Sequence, residues 1–431
     1  MVKLNKSVLA LGVTGLASIA NADESASIEF WHSLNNGAID AVCESFNEQS
    51  KNSIDCIYQG DYDTAMQKAV AAIRSNNHPV LMQFFDVGTT DLMMSGISKP
   101  LEESYRDVNW SDYISGARGY YQDADNKLMS QPWNASTVVL YVNKGALAEV
   151  GITETPSTYE ELHTAMVKLK ESGHECPYTT DGGAWRILEQ VAARHGVDIA
   201  TKHNGFDGLD AEYTVNQGLI VQHLNNLYDW NQKGLVKLDP QTRAGRYTSA
   251  FTANECAMME ASLSAYNASS SALGSDLEIS MAPVYEGYDR YNTFVGGGSL
   301  WMLDGHKTKE ETVAKEFLDY VRKPQTQKTL TEMTGYLPVT QDAYQYIIDT
   351  TDENDPKFAS IHAGFESLNQ PSNANSRGIR LGFYTQFRSV FQEETQKAFS
   401  GDISMQTALD NAKRRGDQLL RRFERTYRHN S

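Results

Sequence analysis

No apolar run in this sequence is long enough to cross a bilayer, which takes ~20 consecutive apolar residues. Val8–Ala20, the longest candidate, falls short. The signatures of common enzymes are missing too. No Gly-Lys-Ser/Thr completes a Walker loop, no G-x-G-x-x-G follows a strand-like run, and no H-E-x-x-H occurs among the 10 histidines. Gly297-Gly298-Ser299-Leu300-Trp301 fails the nucleophile elbow, because no glycine stands two positions past the serine. Carboxylate neighbours such as Glu102-Glu103 and Glu393-Glu394 point to different faces and read as solvated. The cysteines show no C-x-x-C and no nearby histidine pair, which argues against a zinc site. Positive charge is scarce: 38 Lys and Arg stand against 55 Asp and Glu, for a net charge of −17. So acidic a surface disfavours nucleic acid and anionic lipid, although a buried pocket can still be locally positive. Together these absences point away from catalysis and from any cofactor or metal.

What is present begins with a targeting segment. Lys3 and Lys6 precede the apolar Val8–Ala20, and Ala20-Asn21-Ala22 has the form of a cleavage site. Residues 1–22 therefore read as a Sec-type signal peptide cut before Asp23, which exports the chain to the periplasm without inserting it in the membrane. No cysteine follows to carry a lipid. The mature remainder is longer than one hydrophobic core usually serves, so two domains are expected. Its four cysteines fit an oxidising compartment. Cys43 and Cys56 lie on a predicted helix and the strand after it, which suits a local disulfide and leaves Cys176 with Cys256.

Along the chain, Ser27–Trp31 and Ile54–Tyr58 read as strands and Ala38–Asn47 as a helix. Tyr62, Met66, Ala69, Val70 and Ile73 share one face of a second helix. Val80–Phe85 is apolar at every position but Gln83, the pattern of a strand buried on both faces. Such alternation predicts an α/β fold with a mainly parallel sheet. In that architecture ligands meet the segments just after strands, here Trp31-His32-Ser33, Gly60-Asp61-Tyr62 and Asp86-Val87-Gly88. Further on, Val138–Val142 and Ile279–Val284 read as strands. Helices are predicted over Thr158–Leu169 with a capping box, Gly218–Lys233, Tyr247–Thr252, Glu310–Val321, Gln325–Met333 and Gly416–Tyr427. The last, rich in arginine, reads as a docking helix with a solvated basic face. Asp352–Lys357 is a polar linker without the glycine and glutamate of a calcium loop.

The ends of these elements gather aromatic, hydroxyl and glycine residues: Tyr62, Asn134 to Thr137, Trp185 after Gly182-Gly183, Ser262, and Tyr336 in "TGYLPVT". Arg377 and Arg380 stand in "SRGIRLG". This inventory suits a small polar ligand, with aromatic faces for its carbon skeleton and arginine for an anion. Arg380, between Ile379 and Leu381, reads as an arginine in an apolar strand that needs an anionic partner, either a carboxylate or a ligand. "TFVGGGSLWM" sets three glycines between strand-like pairs, which fits either a bulge or backbone approached by a ligand.

At this level the chain resembles the glycerol-phosphate-binding branch of the family 1 extracellular solute-binding proteins of ABC importers. The blocks "IEFWHS", "QGDYDTAM", "LMQFFDVGT", "LMSQPWNAST", "NGFDG", "ANECAMMEAS", "GGGSLWM", "KEFLDYVRKP", "TGYLPVT", "RGIRLG" and "QLLRRFER" carry the resemblance, from about residue 27 to the C-terminus. It implies a type II, maltose-binding-protein-like fold of two α/β lobes joined by three crossing segments, placed near Gln131–Asn134, Met281–Tyr285 and Gly335–Val339. Residues 23–133 and 285–335 would form the N-terminal lobe, and 134–284 with 336–431 the C-terminal lobe. It implies a monomer that binds a small phosphate ester at Tyr62, Ser136, Ser262, Gly297, Tyr336 and Arg380, with Trp185 beside them, and docks on inner-membrane permease subunits. Gly297 would offer its amide to a ligand oxygen, and family cysteines match Cys176 and Cys256.

Two positions depart from the pattern. Asp86 replaces a glutamate, which puts a directly held glycerol hydroxyl in doubt. Gly182 replaces one of two tryptophans, which should open the pocket to a larger head group such as the choline of a glycerophosphodiester. A neutral oligosaccharide is the alternative ligand, and a secreted phosphodiesterase the alternative class.

Overall fold

The structure, a computed structural model, describes residues 25–34, 37–353 and 355–428. The expected signal peptide, 1–22, lies outside them.

Among the described residues, ten strands build two sheets. Strands β1 (Ser27–His32), β2 (Ser53–Tyr58), β3 (Leu81–Phe85), β4 (Gln131–Ser136) and β10 (Gly296–Met302) form the first, in the order β2-β1-β3-β10-β4. Strands β5 (Val138–Asn143), β6 (Tyr178–Thr180), β7 (Val236–Leu238), β8 (Met258–Ser262) and β9 (Leu277–Met281) form the second, in the order β7-β6-β8-β5-β9. β1 runs parallel to β2 and β3, while β10 runs antiparallel to β3 and β4. β6 likewise runs parallel to β7 and β8, and β5 antiparallel to β8 and β9. Each sheet is therefore mixed, with helices supplying the crossovers that parallel pairs require.

All five side chains of β3 are buried, which is why its sequence shows no alternation. The helix Ala38–Gln49 buries Ile39, Val42 and Phe46 against the first sheet, and Cys43 on that face bonds Cys56 of β2. The Cys176–Cys256 disulfide ties the approach to β6 to the residue before Ala257 and β8. The helix Tyr159–Glu171 opens with the expected capping box: Thr158 Oγ1 accepts the Glu161 N–H, and Glu161 accepts from the Thr158 amide.

Three local expectations differ. The strand predicted over Ile279–Val284 ends at Met281, two residues before Pro283, whose missing N–H cannot extend a ladder. The C-terminal helix starts at Met405 and packs along Tyr384–Phe399, with Leu420 and Phe423 buried. Arg380 lies in no strand; its amide donates to Asn204 O at 2.8 Å within an irregular segment.

β4 and β5 are separated only by Thr137, so the chain passes from one sheet to the other within a single residue. There the two sheets meet, and the Ser136 and Ser262 hydroxyls lie 2.8 Å apart across the junction.

Candidate functional site

A cavity of about 460 Å³ opens where the sheets meet. The end of β3, the N-terminus of helix Tyr62–Arg74, the start of β10 and the helix Tyr384–Phe399 form its walls. Seven of the eight residues expected from the sequence line it: Tyr62, Asp86, Ser136, Trp185, Ser262, Gly297 and Tyr336.

Tyr62 follows the N-cap Asp61, whose carboxylate accepts the Thr64 N–H at 2.9 Å. Its ring stacks on Phe85 at 5.1 Å, and its hydroxyl accepts from Asn134 Nδ2 at 2.9 Å. Asn134 is itself held by Gln83, whose amide donates to Asn134 Oδ1 at 2.6 Å. Burial raises the pKa of both the Tyr62 and Tyr336 hydroxyls, so each stays protonated and able to donate. Trp185 begins a π-helical turn, Trp185–Glu189, and its buried Nε1–H has no acceptor among the described residues. Such an orphan donor on a cavity wall suits a ligand oxygen.

The glycines resolve into distinct needs. A Cβ at position 296 would lie 2.5 Å from the Trp185 ring, so the bare backbone makes room for the indole. Gly297 has φ +122, and a Cβ there would fall 1.9 Å from Asn134 O across the β4–β10 pair. A register shift follows between Gly298 and Ser299. The stretch is thus a bulged strand and a cavity wall at once. The Gly297 N–H donates to Asp86 Oδ2 at 3.0 Å, so Asp86 occupies the amide that the resemblance assigned to ligand.

Asp86 is only 5% exposed. Burial pushes its carboxyl up to about 6, opposed by the Arg388 guanidinium 3.8 Å away. Arg388 also bonds the buried Glu189 through Nε and Nη2, each at 2.6 Å. Two of its five N–H donors are spent on Glu189, which holds the fork rigid beside the cavity.

The arginine that lines the cavity is Arg388, which the sequence reading did not single out. Arg380 does not line the cavity; it lies buried with its guanidinium 4.9 Å from the Phe206 ring, and its three nitrogens have no hydrogen-bond partner among the described residues. Arg377 stands over the same ring at 4.6 Å. Reading single residues within "RGIRLG" missed the signal that lay downstream. Thr385, Arg388, Ser389 and Gln392 repeat at helical spacing and present one polar face to the cavity. Glu189 was missed as well, because a buried glutamate leaves no periodic trace of its partner.

Gly182 also lies apart from the cavity; it has φ +70, and a Cβ there would touch Leu238 at 3.5 Å. The glycine serves a left-handed turn beside Leu238.

The described residues hold no group of three His, Cys, Asp or Glu placed to bind a metal ion, and no helix among them is long and apolar enough to cross a membrane. Two mixed sheets that meet at a polar cavity, with β4 passing directly into β5, define a two-lobed solute-binding protein.

The comparisons agree. A family model described as bacterial extracellular solute-binding protein matches residues 41–360, and the chain belongs to that family. The sn-glycerol-3-phosphate-binding periplasmic protein UgpB of Yersinia pseudotuberculosis is 34% identical over 422 residues, covering 94% of each chain. Its counterpart from Salmonella paratyphi A is 33% identical over 445 residues, covering 99% of each. These relatives are binding proteins rather than enzymes. Among solved structures, the sugar-binding protein MalE of Xanthomonas citri matches with a TM-score of 0.77 at 15% identity, over 93% of this chain and 99% of that one. UgpB of Mycobacterium tuberculosis, in complex with glycerophosphocholine, matches with a TM-score of 0.74 at 17% identity, over 92% and 98%. Likeness at these identities concerns the fold.

Proposed function

We propose that the mature chain is a periplasmic receptor that captures sn-glycerol-3-phosphate or a glycerophosphodiester and delivers it, as a monomer, to the permease of an ABC importer. One observation carries this reading: an arginine fork with unspent donors, fixed by a buried carboxylate, faces a cavity ringed by hydroxyls at the meeting of two sheets. Arg388 would make charge-assisted bonds to the phosphate, and the N-terminal turns of its helix add a favourable dipole. Tyr62, Tyr336, Ser136, Ser262 and the Trp185 indole would supply neutral bonds to the remaining oxygens. The relatives named for glycerol phosphate support the same ligand class.

The lobes that close are those organised by the two sheets, residues 23–133 with 285–335 and residues 134–284 with 336–431. β4 carries the first boundary on to Ser136. A ligand touching Tyr62 and Asp86 on one side and Trp185, Ser262 and Arg388 on the other favours the closed state by its differential affinity. Small-angle scattering on the mature chain tests this. sn-Glycerol-3-phosphate should contract the radius of gyration while maltose leaves it unchanged. Contraction with maltose alone would overturn the phosphate reading.

A further inference from the structure

We propose that a second chamber beside the ligand cavity receives the cationic alkylammonium end of a glycerophosphodiester, with Asp91 as its counter-charge. This rests on the phosphate reading above and names where a head group would go. The chamber holds about 670 Å³ and shares Asp63, Thr385 and Ser389 with the ligand cavity, so a diester seated at Arg388 can reach into it. Its first wall is the helix face of Met66, Val70 and Ile73, which the sequence pattern presents as core. In the structure Val70 is 37% exposed, and the residues this helix buries are Ala65, Ala69 and Ala72. Met66 and Ile73 touch the core at their edges, but Val70 between them has no core to cover it and lines the chamber instead. Phe84 comes from the side of β3 opposite the cavity-lining Phe85, while Phe383 and Tyr427 close the chamber from the C-terminal helices.

Charge decides which head group fits. The chamber's walls carry two carboxylates, Asp63 and Asp91, against one cation, Arg74. Asp91 Oδ2 is buried with no hydrogen-bond partner among the described residues. Burial pushes the Asp91 carboxyl up to about 6, and only backbone N–H groups, chiefly that of Phe383, oppose the shift. An acyl chain placed here would leave that oxygen desolvated and unpaired. An alkylammonium group would instead pair with it while its methyls face the aromatic rings, which attract cations. With Gly182 removed from the cavity wall, this is where the structure offers a diester room.

The test is titration calorimetry on the mature chain and two variants, Val70→Trp to fill the chamber and Asp91→Asn to remove its charge. The probes are sn-glycerol-3-phosphate, glycerophosphocholine and glycerophosphoglycerol, a diester whose head group carries no charge. Both variants should weaken glycerophosphocholine about tenfold, the equivalent of one good charge-assisted contact, and leave sn-glycerol-3-phosphate unchanged. Asp91→Asn should spare glycerophosphoglycerol, whereas Val70→Trp should weaken it. The proposal is overturned if glycerophosphocholine is unaffected by both variants. A parallel fall for sn-glycerol-3-phosphate would also overturn it, as would equal sensitivity of the two diesters to Asp91→Asn. Wild-type protein that binds sn-glycerol-3-phosphate but no diester sinks the chamber alone. Binding of none of the three sinks the phosphate reading with it.

Discussion

Asp86→Asn should make the protein more stable above neutral pH and leave it unchanged in acid. The native carboxyl, raised from 3.8 to about 6, holds its proton more tightly in the folded than in the unfolded chain. Stability from that proton is fully present below pH ~4 and is lost as pH rises through the folded-state value. About two pKa units at ~1.4 kcal/mol each set the loss at ~3 kcal/mol by pH 8. Asparagine never ionises, so it avoids this loss, but it weakens the contacts to the Gly297 N–H and to Arg388. The net gain should be ~1–3 kcal/mol at pH 8, or several degrees in thermal midpoint for lobes of this size. Circular dichroism melts of both proteins between pH 4.5 and 8 would read it. Asp91, also raised to about 6, should leave a residual slope in the variant that Asp91→Asn then flattens. A variant less stable than wild type by the same amount at every pH would refute the reasoning, since it would mean that Arg388 fully compensates the buried charge.

Other perturbations have equally definite outcomes. Gly297→Ala forces a Cβ to within 1.9 Å of Asn134 O at φ +122, and should cost ~3 kcal/mol or more in urea unfolding and abolish binding. Replacing Cys176 and Cys256 together by serine opens a disulfide spanning 80 residues and should cost ~4 kcal/mol, well above the loss from opening Cys43–Cys56 across 13, as read by denaturant melts. Tyr62→Phe leaves Asn134 Nδ2 without its acceptor and should cost ~1–3 kcal/mol in the same melts, with weaker ligand binding by calorimetry.

Much of this was legible in the residues because local rules and tertiary structure agree. The fully buried β3, the Thr158 capping box and the strand-end placement of Tyr62 and Asp86 follow from periodicity and from where open α/β sheets bind ligands. The misses share a cause. Choosing among Arg377, Arg380 and Arg388 requires knowing which face of a helix meets the other lobe, and spacing alone identifies the face without its neighbour. The face of Met66, Val70 and Ile73 shows the converse: its spacing is correct, yet it borders a chamber as well as the core, and Val70 is left exposed there. Gly182 misleads because a left-handed turn and an emptied pocket leave the same letter in the sequence.

The most direct test of the account is calorimetric titration of sn-glycerol-3-phosphate into the wild-type mature chain and into Arg388→Gln and Arg380→Gln. Saturable one-to-one binding by wild type, weakened by ~2–5 kcal/mol in Arg388→Gln and retained in Arg380→Gln, is the predicted result. Binding that survives Arg388→Gln, or that is lost only in Arg380→Gln, would contradict the assignment of the phosphate to the cavity's arginine.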